Sequence, residues 1–222
     1  MKLLSVTTTA MLRPDLLRRT YASFQKHLKD VDFKYLTLYI NVDPAPAGKY
    51  TADDVLAVAR RFFGTVVSRC SAKPNFTAAI NWLWSQADTQ FILHLEDDWE
   101  MINDTRMADV YRAFDAHPGI YQVRFVGRAQ SHKSQRIALA PGVTCRAFYS
   151  RVAGKLDESF NPETQLHEVY RWKAWGIASR ERCAVMHSSR KGVVLVRDIG
   201  RPWAARHQIA RRGPKARFTR WV

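Results

Sequence analysis

Four short runs of β-branched and aromatic residues, each followed within a few positions by a segment of helical periodicity, set the strongest constraint on how this chain folds. Residues 3–8 read as a strand, and Arg13-Pro14-Asp15 opens a helix whose Leu17, Tyr21, Phe24 and Leu28 share one face. Residues 35–41 (YLTLYIN) read as a second strand running into Val42-Asp43-Pro44, and Thr51-x-x-Asp54 is a capping box for a helix over 52–62. A third strand is expected over 64–67, Asn75 caps a helix through Trp84, and 91–95 (FILHL) is a fully buried fourth strand. Such alternation calls for a mostly parallel sheet covered by helices on both faces, an α/β fold.

The second half is looser. A helix with Met107, Val110, Tyr111 and Phe114 on its apolar face stops at His117-Pro118-Gly119, and 120–126 resumes the sheet. Beyond it, a strand at Phe148-Tyr149, an aromatic helix over 167–175 and a strand over 192–196 are expected as α+β elements packed on the sheet's end. With 222 residues and 46% hydrophobic composition, a single domain over 1–222 is expected, divided into halves 1–101 and 102–212 and a mobile basic tail 213–222. Composition excludes disorder, collagen and a disulfide scaffold; Cys70, Cys145 and Cys183 lack paired spacing and read as reduced and structural. No apolar run reaches the roughly 20 residues that cross a bilayer, and the chain is expected in the cytoplasm.

Charge is unevenly placed. The net charge is +15, yet residues 121–156 contain seven basic residues and no acidic one, and residues 190–222 contain ten basic residues opposed only by Asp198. That segregation points to a polyanionic partner. Acid gathers in the first two thirds, above all in Glu96-Asp97-Asp98 directly after the FILHL strand. Three adjacent carboxylates at the carboxyl end of a buried strand repel one another, and Mg²⁺ or Mn²⁺ gripping a diphosphate would relieve that repulsion; the bland alternative is a solvated acidic turn.

These features resemble the GT-A nucleotide-sugar glycosyltransferases, family 2 above all, over residues 3–101. The opening strand with its polar Thr7 and Thr8, the Arg13-Pro14 helix start, Asp43 closing the second strand, the N-x-x-x-A-x-N pattern of Asn75-Phe76-Thr77-Ala78-Ala79-Ile80-Asn81, and Glu96-Asp97-Asp98 in place of D-x-D carry the likeness. The resemblance implies a GT-A, Rossmann-like sheet in which 1–101 binds the donor and 102–212 the acceptor. It further implies donor contacts from Thr7, Thr8, Arg13, Asp43, Asn75, Asn81 and Glu96, Asp97 facing the ribose, and Asp98 on Mn²⁺ or Mg²⁺. His207 or His187 would complete the metal site.

In the acceptor half the family's Glu-Asp pair is matched best by His167-Glu168, which makes Glu168 the expected general base, with His167, Glu163 and Asp157 as alternatives. The loop Asp198-Ile199-Gly200-Arg201 offers close backbone approach at the glycine and, through Arg201 and Arg206, cations for the leaving diphosphate. Trp172, Trp175 and Trp203 are candidate sugar or base platforms. The expected reaction is transfer with inversion from a nucleotide sugar to a hydroxyl. Excess basic charge, including Arg211, Arg212, Lys215 and Arg217, favours duplex DNA with a hydroxymethylated pyrimidine, as in short phage enzymes acting in the host cytoplasm. A lipid-linked or polysaccharide acceptor, and a non-catalytic nucleic-acid-binding protein on the same scaffold, are the competing readings. Nucleotidyltransferases share the sheet but commonly carry a glycine-rich basic loop after the first strand, which Thr7-Thr8-Thr9-Ala10 lacks.

Overall fold

The computed structural model describes residues 3–46, 48–125, 137–167, 183–186, 193–206, 211–212 and 220–221. The alternation appears as expected: β1 (Leu4–Met11), α1 (Pro14–His27), a two-residue β2 (Leu28–Lys29), β3 (Thr37–Asp43), α2 (Ala52–Phe62), β4 (Thr65–Cys70), α3 (Phe76–Gln86) and β5 (Phe91–Glu96). The Thr51 hydroxyl accepts from the Asp54 N–H while the Asp54 carboxylate accepts from the Thr51 N–H, the reciprocal cap anticipated for α2. Short strands β6 (Trp99–Met101) and β7 (Thr105–Arg106) precede α4 (Met107–Ala116) and β8 (Gln122–Phe125). Then come β9 (Gly142–Cys145), α5 (Arg146–Val152), α6 (Pro162–His167), β10 (Cys183–Met186), β11 (Val196–Asp198), α7 (Gly200–Arg206), β12 (Arg211–Arg212) and β13 (Arg220–Trp221).

Seven strands form one sheet in the order β10-β8-β9-β5-β1-β3-β4. All are mutually parallel except β9, which runs antiparallel between β5 and β8. Side chains alternate across each strand, so the sheet has two unlike faces. On one, Leu4, Val6, Leu93 and Leu95 pack with Leu17, Tyr21 and Phe24 of α1 and Val55 and Ala59 of α2. On the other, Ile92 packs with Ile80, Leu83 and Trp84 of α3 and Phe148, Tyr149 and Val152 of α5.

The second half corrects the sequence reading. Phe148 and Tyr149 are not a strand: with Val152 they form the buried face of α5, a spacing of three and four that suits a helix, and the preceding Gly142–Cys145 segment pairs instead. Gly142 is required there, because a Cβ would fall 2.7 Å from the Val123 carbonyl oxygen. The strand expected over 192–196 begins only at Val196, antiparallel to β6. The aromatic helix over 167–175 lies, apart from His167 at the end of α6, outside the described residues. Among the described residues no helix is long and apolar enough to cross a membrane.

Candidate functional site

Parallel strands deliver their carboxyl ends to one edge, and register sets what stands there: Met11 lies beside Asp43, and Glu96 beside Thr9. The end of β5 at Glu96, with a turn at Asp97-Asp98, then separates the three carboxylates. Glu96 falls on the face of Ile92, toward α6; Asp97 returns to the face of α1; Asp98, where the strand has ended, turns toward the β11–α7 loop.

Asp97 is 2% exposed and wholly engaged. Its Oδ2 accepts from the Met11 N–H (2.9 Å) and from Arg13 Nε (3.2 Å), and an Arg13 terminal nitrogen closes a second bond to Oδ1. Thr20 Oγ1 donates to the Asp97 carbonyl at 2.9 Å. The carboxylate expected to face the ribose is thus turned inward as the partner of a buried arginine. Arg13, 4% exposed, also bonds Asp98 Oδ2 at 3.2 Å and lies 5.4 Å from the Trp203 ring centroid, so its guanidinium is not free for a phosphate.

Asp98 keeps a partly open carboxylate. Burial, reinforced by Asp97 and Asp198 and opposed by Arg13, pushes its pKa up to about 6. Glycine at 200 makes the approach possible, since a Cβ there would overlap the Asp98 carboxylate. The Ile199 N–H donates to the Asp98 carbonyl (2.8 Å), and Asp198 is held by the N–H groups of Gly200 and Arg201 and by the Arg201 guanidinium at 2.8 Å. Arg201 is otherwise exposed.

Glu96 accepts from Trp99 Nε1 at 2.8 Å, and burial, with Asp98 and Glu163 nearby, holds its pKa well above the ordinary carboxylate range. Glu163 sits at the start of α6, where the Asn161 side chain accepts from the N–H groups of Glu163 and Thr164, and Glu163 Oε1 accepts from the Leu139 N–H at 3.3 Å. Asn161-Pro162-Glu163 carries the chemistry of a helix start, a signal the sequence reading, which began its helix at 167, did not use.

Asp43 is the other acidic corner. It accepts from Asn41 Nδ2 (2.9 Å) and from the Asn75 N–H (3.2 Å), and burial raises its pKa against those bonds. Asn75 also caps α3 by accepting from the Ala78 N–H, and its Nδ2 donates to the Glu158 carbonyl at 3.2 Å.

Other expected donor contacts face inward. Thr7 is fully buried with its hydroxyl 3.0 Å from His94 Nδ1, and Thr8 accepts from the Tyr21 hydroxyl. Both lie within the sheet, below its edge. Asn81 bonds both the N–H (3.1 Å) and C=O (2.8 Å) of Leu156 and so clamps α3 to the following segment. Asp157 is exposed and occupied by the Ser159 N–H and hydroxyl. His167 is the last residue of α6; Glu168, Trp172, Trp175, His187, His207, Lys215 and Arg217 lie outside the described residues. Arg206 ends α7, and Arg211 and Arg212 pair with Trp221 and Arg220 as a short ladder.

A groove of about 370 Å³ behind β6, lined by Arg19, Lys26, Glu100 and Arg197, lies apart from these carboxylates, and Glu100 already pairs with both arginines.

The raised pKa of Asp98 gives a signed prediction. Between the unfolded value near 4 and the folded value of about 6, the folded state holds the extra proton, so its ionisation destabilises the fold as pH rises through that window. Without divalent metal, Asp98→Asn should therefore stabilise the protein by about 1–3 kcal/mol at pH 7.5, the gain vanishing near pH 4. Urea unfolding across that range checks it; a constant difference at all pH values would contradict it.

No protein-family model and no curated protein matches the chain. Its backbone does match solved structures. The mannosyltransferase PcManGT from Pyrobaculum calidifontis, in complex with GDP-Man and Mn²⁺, aligns with TM-score 0.58 and 12% identity over 85% of this chain and 58% of its own. S. aureus TarS 1–349 in complex with UDP-GlcNAc gives 0.58 and 15% identity over 89% and 58%. A Leptospira borgpetersenii cytidylyltransferase gives 0.50 and 9% over 86% and 78%. The chain therefore spans 58% of the length of each of the two glycosyltransferase chains. At these identities the likeness establishes architecture: the chain has the GT-A, Rossmann-like α/β fold, a mostly parallel sheet with helices on both faces.

Proposed function

We propose that the protein is a divalent-metal-dependent glycosyltransferase that moves a sugar from a nucleotide diphosphate to a hydroxyl acceptor. The observation that carries this reading is the meeting, at the carboxyl edge of the sheet, of Asp98 from the turn after β5 with the Asp198–Gly200 segment, a hundred residues later in the chain. The nucleotide-sugar complexes of PcManGT and TarS, one with Mn²⁺, support it. Against nucleotidyl transfer stands the turn after β1, whose one cation, Arg13, is spent on Asp97 and Asp98.

The donor atoms suit a hard cation. Among the described residues no three His, Cys, Asp or Glu side chains converge as a complete cage. Mg²⁺ and Mn²⁺ commonly take one or two protein carboxylates and complete their shell with phosphate and water, and Asp98 and Asp198 are the oxygens on offer. When bound, such an ion supplies charge neutralisation for the leaving diphosphate. Asp43, oriented by the Asn75 N–H, holds the nucleoside end, and Arg201 meets the diphosphate from the start of α7. Glu163 takes the proton of the acceptor hydroxyl as its oxygen bonds the anomeric carbon and the bond to the diphosphate breaks on the opposite face, inverting configuration. The electrostatic proximity of Glu163 to Glu96 supports this assignment.

A screen of nucleotide sugars for Mn²⁺-dependent donor hydrolysis tests the activity. Glu163→Gln should then lower kcat about 100-fold or more with donor binding retained, while Glu168→Gln leaves kcat near wild type. The reverse pattern returns the role to Glu168, and no hydrolysis of any donor defeats the glycosyltransferase reading.

For the acceptor we propose duplex DNA carrying a hydroxymethylated pyrimidine, on the strength of the +15 net charge and its concentration in residues 121–156 and 190–222. The target base would have to leave the stack for its hydroxymethyl group to reach the donor. DNA containing hydroxymethylcytosine, hydroxymethyluracil or ordinary bases, incubated with the active donor and digested to nucleosides, should gain a sugar mass only on a hydroxymethylated base. Transfer to a lipid or saccharide with none to DNA would overturn it.

A further inference from the structure

Asp43 does not stand alone at the sheet edge. Its partner Asn41 lies two residues back on β3, is 1% exposed, and has an amide that could in principle face either way. Two donors from the neighbouring strand and its exit decide the matter. Arg69 Nε donates to Asn41 Oδ1 at 2.7 Å, and Ser71 Oγ donates to the same oxygen at 3.1 Å. With the oxygen so claimed, the NH₂ must face Asp43 Oδ1, where it donates at 2.9 Å.

Arg69 is itself held from both sides. Asn41 and Arg69 are in register across β3 and β4, and the guanidinium lies 5.3 Å from the ring centroid of Trp82 on α3. Ser71 is fixed by its own N–H, which donates to the Val42 carbonyl at 3.0 Å. A relay of Trp82, Arg69, Asn41 and Asp43 thus runs from the edge strand to the cleft. Its members cover little core: β4 is the outermost strand and most of its side chains are exposed. A relay that buries little but fixes one carboxylate in charge state and direction suits recognition more than stability.

We propose that Arg69, acting through Asn41, is a positioning residue for donor binding: it holds Asp43 as an ionised acceptor, so that the site takes a nucleoside part presenting N–H or O–H donors to that carboxylate. The proposal rests on the glycosyltransferase reading in that Asp43 contacts the donor. An ionised carboxylate only accepts; Asn41 Nδ2 bonds one of its oxygens and the Asn75 N–H the other, with the Ser71 hydroxyl also acting on it, which leaves lone pairs for a ligand donor. Without Arg69 the Asn41 amide is held in that direction only by the longer Ser71 bond and turns more readily to offer its oxygen to Asp43, which favours the protonated acid and misdirects it.

The test uses the full chain with Mn²⁺ and four nucleoside diphosphates, UDP, GDP, CDP and ADP, titrated calorimetrically. The diphosphate that binds wild type best should bind Arg69→Met about tenfold or more weakly, with donor KM raised in step, kcat at saturating donor within about twofold, and little change in unfolding temperature. Arg69→Lys, which can still donate to Asn41 Oδ1, should recover part of the loss; Ser71→Ala, removing the lesser donor, should show a smaller one. Unchanged binding in Arg69→Met, a fall in kcat at constant KM, or a binding loss that tracks thermal stability in all three variants would overturn the proposal. Failure of wild type to bind any of the four would defeat the functional reading itself, and the positioning role with it.

Discussion

The buried pairing of Arg13 with Asp97 is the interaction on which the edge of the sheet depends. Three consecutive carboxylates at the end of an apolar strand cannot all be buried ionised without compensation. Arg13 answers with one guanidinium, bonded twice to Asp97 and once to Asp98, while the Met11 N–H and Thr20 hydroxyl complete the shell around Asp97. Those contacts tie the exit of β1, the first turns of α1 and the end of β5 into one unit. Removing one member of such a pair commonly costs about 3–5 kcal/mol, because the other charge stays buried. Here the loss would extend to Asp98, whose only cation among the described contacts is the same arginine.

With the middle carboxylate committed to structure, the outer two are available for chemistry, and they point in different directions. Glu96 faces α6 and shares its field with Glu163; Asp98 faces Gly200 and shares its field with Asp198. The end of β5 causes this division: residues two apart in a strand would share a face, but the strand stops at Glu96 and Asp97-Asp98 form the turn that swings Asp98 away. The site is therefore an apex from which one short acidic sequence reaches both α6 and the β11–α7 loop.

The first half of the fold was legible because local chemistry and tertiary structure agree there. The Thr51–Asp54 box, Asn75 as the cap of α3, and the apolar face of Leu17, Tyr21 and Phe24 all formed where their spacing placed them. β9 escaped because Gly142-Val143-Thr144-Cys145 has little pattern of its own; its strand character comes from the open edges of β5 and β8. At the site, residue types were easier to foresee than directions. Thr7, Thr8, Asp97 and Asn81 are polar and near the expected cleft in sequence, yet each is consumed by an internal bond. The contact of Gly200 with Asp98 was only half visible: the glycine announced a close approach, but nothing local named its partner.

The central claim, that Asp98 is the protein's own ligand for a divalent ion that also grips a nucleoside diphosphate, is tested most directly by the electron paramagnetic resonance signal of free Mn²⁺. Protein alone should bind the ion weakly, protein with a matching nucleoside diphosphate should remove much more of the free signal, and Asp98→Asn should show no such synergy. Equal loss of signal in wild type and Asp98→Asn, with nucleotide present, would contradict it.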